Sequence, residues 1–227
     1  MTLITNNESG PLPRTAVITG ADSGIGRATA VRLADDGMDI GITWHTDQEG
    51  AERTAAEVRD RGRQAVVERL DLTALPAAAD VVDHLADRLG RLDVLVNNAG
   101  TGTATPFLDL DHTTVQQVLD VDLVGPFLCG QCAARRMIRQ GEGGRIVNIT
   151  SVHESQPRVG AAPYCAAKGG LGLLTQVMAL ELAEHVAFLA GPDAAYVTGA
   201  SWAVDGGMLR MGPMAGSHLE SDDWRRG

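Results

Sequence analysis

The chain has 227 residues, 44% of them apolar, which is enough for one α/β domain with a buried core. A formal net charge of -10, with no local basic cluster to offset it, argues against a nucleic acid or an anionic membrane and favours a small-molecule partner. Three cysteines make no disulfide framework, and residues 1–13 lack the basic start and apolar run of a secretion signal, so a cytoplasmic setting is the expectation.

In chain order, residues 1–13 read as a polar tail, 14–207 as a single domain and 208–227 as a Gly-punctuated extension that covers a neighbour, closes over a pocket or trails in solvent. Residues 15–19, TAVIT, suit a strand buried on both faces. They run into Gly20, Ser23, Gly24, Ile25 and Gly26, and a helix follows over 28–36. A strand, a glycine turn and a helix start together present free backbone N–H groups and a helix dipole to a phosphate. A second strand (39–44), helix (48–61), third strand (65–70), Pro-started helix (75–89) and fourth strand (92–100, ending in two amides and a glycine) follow in alternation. This spacing predicts a doubly wound parallel sheet with its ligand beyond the carboxyl ends of the strands, where Gly20, Asp71, Asn97 and Ser151 all fall. A long helix over 112–140, bent at Gly125-Pro126, then leads to a fifth strand at 145–150. Cys129 and Cys132 form a C-x-x-C inside that helix without a second pair, and are read as small core residues. The histidines lack ligand spacing, and no metal site is expected.

The chemistry concentrates in 150–170, TSVHESQPRVGAAPYCAAKGG. If the segment from Tyr164 onward is helical, Tyr164 and Lys168 share a face one turn apart. A cation there favours phenolate over phenol and makes a tyrosine usable as an acid or base near neutral pH. Ser151, at the end of the fifth strand, is placed to donate a hydrogen bond to the oxygen being protonated.

Thr19-Gly20 with Gly24-Ile25-Gly26, Asp71, the Asn97-Asn98-Ala99-Gly100 run, Ser151 and Tyr164-x-x-x-Lys168 together resemble the short-chain dehydrogenase/reductase family, as does TGASWAVDGG at 198–207. The resemblance implies a nicotinamide cofactor, a Rossmann-type sheet (α/β, doubly wound, a single domain), hydride transfer between an alcohol and a carbonyl, and a homotetramer built on helices within 113–140 and 164–184. It assigns Tyr164 as general acid/base, Lys168 as the residue that eases its ionisation and holds the nicotinamide ribose, and Ser151 as the group orienting the substrate oxygen. Gly20, Ser23, Gly24, Ile25 and Gly26 would cradle the pyrophosphate. Asp71 would accept from the adenine amino group, while Leu72, Asn97, Ala99 and Gly100 would border the cofactor. The SVHE tetrapeptide, Ser151 to Glu154, resembles the glucose 1-dehydrogenase branch and hints at a sugar or polyol, with His153 and Glu154 near the pocket or else mere loop residues.

Two departures stand out. Asp122 occupies the place where the family carries an asparagine of its catalytic tetrad, and is retained as a candidate fourth member. After His185 the chain passes at once into VAFLAGPDAAYVTG, where the family has a sixth strand and a substrate-covering segment, so a helical pattern runs on over 164–190. Either residues belonging at that junction are missing from the sequence, which the intact upstream motifs favour, or the chain carries a true deletion. At the end of the second strand no acid stands ready for a ribose 2′-hydroxyl and no Arg or Lys for a 2′-phosphate. With His45 at the basic position, the balance between NAD and NADP tips slightly to NADP. A nucleotide-binding protein without turnover, and more remotely a thiol enzyme using Cys129 and Cys132, are the competing readings.

Overall fold

The computed structural model describes residues 15–186. Five strands, β1 (Thr15–Ile18), β2 (Asp39–Trp44), β3 (Ala65–Arg69), β4 (Val94–Asn97) and β5 (Arg145–Asn148), form one sheet in the order β3-β2-β1-β4-β5. Every pairing is parallel. Helices α1 (Gly24–Asp35), α2 (Gln48–Arg59), α3 (Val81–Leu89), α4 (His112–Leu119), α5 (Gly125–Gln140) and α6 (Ala162–Val186) connect and flank them.

Successive residues of a strand point to opposite faces, so a sheet covered on both sides needs apolar residues at every position. β1 shows this directly. Ala16 and Ile18 join Ile40, Ile42 and the α1 and α2 residues Ala30, Ala34, Ala51, Ala55 and Val58 on one face. Val17 joins Leu95, Val82, Leu85, Cys129, Ala133 and Met137 on the other. The chain reverses its direction of travel across the sheet between β1 and β4, which are paired neighbours. The loops that follow these two strands therefore open a crevice where they diverge.

The expected architecture is present, with local differences. The helix expected over 75–89 begins later, as a 3-10 turn at Ala77–Asp80 followed by α3. The stretch expected to bend at Gly125-Pro126 instead widens into a π turn at Asp120–Val124. Pro126 has no N–H to give to the carbonyl four residues earlier, and the Gly125 N–H reaches back to Asp120. This extra residue in the turn brings Asp122 to a fully buried position. The helix carrying Tyr164 and Lys168 is described as far as Val186 and crosses the junction after His185 without a break, whereas the expected strand at 201–204 and both terminal segments lie outside the described residues.

Candidate active site

The loop after β1 is held by the loop after β4. Thr19 Oγ1 accepts from the backbone N–H groups of Asn98 (2.9 Å) and Ala99 (3.0 Å). The Asn98 amide donates to the carbonyls of Thr19 (3.0 Å) and Gly20 (2.9 Å). From β2, Thr43 Oγ1 accepts from the Gly20 N–H at 3.1 Å. The backbone here leaves no room for a side chain: a Cβ on Gly26 would stand 2.3 Å from the Gly20 carbonyl oxygen and 2.6 Å from Asn98 Nδ2.

The α1 N-terminus then faces the crevice with donors to spare. Ser23 makes no side-chain cap, and no acid lies in the first turn. Free N–H groups at a positive helix end fit a pyrophosphate. Ile25, beside them, is 64% exposed despite being apolar. It lines a cleft of about 320 Å³ together with Asn98, Gly100, Asp122, Tyr164 and Lys168. One continuous cleft thus joins the phosphate cradle to the Tyr/Lys pair, as an extended dinucleotide requires.

At the other end of the cleft, Lys168 is 4% exposed and donates to the Ile149 carbonyl at 3.1 Å, with its Nζ 5.7 Å from the centre of the Tyr164 ring. Helical spacing produces that neighbourhood, as the sequence implied. Asp122 meets Lys168 directly, Oδ1 to Nζ at 3.1 Å, while its Oδ2 accepts from the Thr101 N–H at 3.0 Å. Burial pushes the Asp122 carboxyl up from the usual range, and Lys168 and the Thr101 amide pull against that. Ser151 caps the 3-10 turn after β5, its Oγ accepting from the His153 N–H at 3.2 Å. The His153 ring stands edge-on to Tyr164, centroids 6.3 Å apart. Glu154 packs instead against α6, where a Cβ on Gly172 would lie 3.2 Å from its Oε2.

Several expected cofactor contacts change on inspection. Asn97 is 3% exposed, and its amide is committed to the Pro126 carbonyl and to Asn148 Oδ1. It is a strut between β4, β5 and α5, and the cleft residue is Asn98, because consecutive side chains leave a strand on opposite sides. Leu72 points into the core, against the position a Cβ on Gly125 would take, so only its backbone can reach a ligand. Asp71 is oriented by Thr73, whose N–H (3.1 Å) and hydroxyl (2.6 Å) both donate to Oδ1. These bonds hold its carboxyl below the ordinary range. Its Oδ2 faces His45 at 3.6 Å and Arg69 at 3.5 Å. Arg69 was missed from sequence: it is opposite Trp44 in the parallel register, which sets a guanidinium beside the end of β2. Its position two residues before Asp71, on the same face of the chain, was the available signal.

The C-x-x-C pair has core character. Burial, foremost, raises both thiols to about 12, and Cys132 donates to Asp83 Oδ2 at 3.0 Å. No described helix is long and apolar enough to cross a membrane.

A parallel sheet with a glycine cradle at its crossover and a Tyr/Lys pair, its lysine buried, beyond the neighbouring strand defines a dinucleotide-dependent oxidoreductase fold. The chain belongs to the short chain dehydrogenase family, whose model matches residues 14–191. It is similar to the acetoin dehydrogenase YohF of Salmonella typhimurium, with 54% identity over 77% of this chain and 69% of that one and a TM-score of 0.75. The acetoin dehydrogenase of Enterobacter cloacae is 42% identical, with a TM-score of 0.82 over 89% of this chain and 97% of that one. A xylitol dehydrogenase solved with bound NAD+ is 34% identical over 76% of this chain and 66% of that one, with a TM-score of 0.71. Glucose 1-dehydrogenase 2 of Bacillus subtilis aligns over 243 residues at 28% identity, taking in 94% of that protein and 86% of this chain. Since 86% of 227 residues is about 195, some 48 positions of that relative have no counterpart here.

Proposed function

We propose that the protein is an NAD(P)-dependent oxidoreductase that moves a hydride between the nicotinamide and a small alcohol or carbonyl compound. The observation that carries this is the placing of Tyr164 and Lys168 in one cleft with Ile25, Asn98 and Gly100 of the dinucleotide cradle. The cofactor, when bound, supplies the hydride acceptor or donor. Tyr164 takes the alcohol proton, or returns it, at its phenolic oxygen. Lys168, anchored on the Ile149 carbonyl, supports the anionic form of the phenol and holds the ribose hydroxyls. Ser151 orients the substrate oxygen.

The hydroxyketone named for the two acetoin dehydrogenases makes vicinal hydroxyketones and diols the first substrates to test, with sugars and other polyols next. Turnover with such a panel is expected, and Tyr164→Phe should cut it by about 10²–10⁴-fold while cofactor binding persists. Cofactor binding without turnover of any alcohol or ketone would favour the second reading, a nucleotide-binding protein. The roughly 48 positions lacking here are the specific support for that reading.

NADP is slightly preferred over NAD in this reading. No carboxylate ends β2, and Arg69 stands with His45 beside Asp71. The Arg69 guanidinium beside the end of β2 would attract a 2′-phosphate, so NADP should bind more tightly than NAD, and Arg69→Ala should remove the difference. Equal affinities of the parent for the two cofactors would remove this role. Assembly into a homotetramer is supported by apolar side chains exposed on α5 and α6, Phe127, Ile138, Leu173, Val177 and Leu180, and light scattering reads it directly.

A further inference from the structure

The Asp122 carboxylate is fully buried, and its two oxygens face two different donors: Oδ2 the Thr101 N–H at 3.0 Å, Oδ1 the Lys168 ammonium at 3.1 Å. Oδ1 accepts no well-aligned hydrogen bond, so its tie to Lys168 is ionic. An asparagine cannot replace this arrangement. It has one acceptor oxygen for two donors, and its NH₂ would bring further donors against an ammonium. The fit around the pair is close, because a Cβ on Gly100 would stand 2.9 Å from Oδ1 and 3.8 Å from the Lys168 nitrogen. The π turn at Asp120–Val124 is what sets Asp122 at this depth.

We propose that Asp122 is a positioning residue that acts as the counter-ion of Lys168. It ties Lys168 to the loop after β4 and holds the ionisation of Tyr164 at a higher pH than an uncharged residue there would allow. The reason is electrostatic: an ammonium alone acts on the phenol as a point charge, whereas an ammonium with an anion 3.1 Å away acts as a weaker dipole. Tyr164 lies on its own helix, Asp122 on the π turn and His153 on the turn after β5, while Ile149 and Thr101 contribute backbone groups. His153 is present in every variant compared, so its own protonation cancels in the comparison. The consequence for turnover rests on the function proposed above, but the ionisation itself can be read without substrate or cofactor.

The chain has two tyrosines, Tyr164 and Tyr196, so Tyr196→Phe leaves a single phenol whose ionisation is followed by near-ultraviolet difference absorbance. In that background Asp122→Asn should lower the midpoint of phenolate formation by about one pH unit. The acid-side limb of alcohol oxidation should move down with it. An unchanged midpoint, even with a lower melting temperature, would show a merely structural role and overturn the proposal. So would an upward move, which would mean that Asp122 serves to keep Lys168 charged. Asp122→Ser, smaller and equally uncharged, is the second variant should the asparagine protein fail to fold, and the same two outcomes apply. A lowered midpoint in a protein that turns over no alcohol would leave this inference standing and refute the dehydrogenase reading.

Discussion

Gly26→Ala tests whether the glycine cradle is built for close backbone approach. The added methyl would sit 2.3 Å from the Gly20 carbonyl oxygen, 2.6 Å from Asn98 Nδ2 and 2.9 Å from the Ala21 Cα. All three distances lie well inside van der Waals contact, and two of the three atoms belong to backbone that cannot swing aside. The third is the amide that ties the two cleft loops together through the Thr19 and Gly20 carbonyls. Overpacking of this kind costs about 1–3 kcal/mol, and displacing the Asn98 amide adds about 1 kcal/mol for each hydrogen bond lost. At about 1.4 kcal/mol per factor of ten, the part of that cost falling on the cradle should weaken cofactor binding about tenfold to a hundredfold. Calorimetric titration with NAD and NADP measures the loss, and the melting temperature of the free protein separates a strained cradle from a damaged fold. Gly24→Ala is the control: a Cβ there meets nothing within 4 Å, so only the strain of its positive φ is paid. Binding by Gly26→Ala within twofold of the parent, at an unchanged melting temperature, would refute the steric argument.

Other outcomes are specific to single groups. Gly100→Ala should press on Asp122 Oδ1, 2.9 Å from the added Cβ, and through it disturb Lys168, reducing turnover at least tenfold and weakening cofactor binding as well, since both residues line the cofactor cleft; separate kcat and binding measurements check this. Cys129 and Cys132, whose thiols burial raises to about 12, should resist alkylation at pH 7, and peptide mapping by mass spectrometry would show them unmodified in active protein. The Asp71 carboxyl is held below its usual range chiefly by Thr73, so its contribution to stability is complete above the unfolded value of about 3.9 and is lost as pH falls through the folded value. Thr73→Val, which removes the hydroxyl's hydrogen bond, should therefore lower stability at pH 7, and the difference from the parent should shrink towards zero as pH falls below about 4, as urea unfolding at the two pH values would show.

Much of the site was legible because its parts are local. The glycine turn lies between a strand and a helix adjacent in sequence, and Tyr164 and Lys168 are one helical turn apart, so period and spacing place them before any long-range contact is known. The parallel, doubly wound sheet followed from the regular β/α alternation. What escaped was decided between segments distant in the chain. Asn97 and Asn98 are indistinguishable as letters, yet one is a buried strut and the other braces the cradle, according to which side of β4 each leaves. Arg69 became a neighbour of His45 only through the β2/β3 register.

Asp122 shows the division most clearly. Its replacement of an amide by an acid was readable from the sequence as a change of chemistry, but not its consequence. That depends on a π turn caused by Pro126, on the bare backbone of Gly100 and on the Lys168 ammonium brought from α6, three features that meet only when the sheet and its helices have packed. Local periodicity and turn chemistry thus determined the elements and the candidate residues. Long-range packing, which sets distance and dielectric between groups far apart in the chain, decided which of them touch and how their charges act on one another.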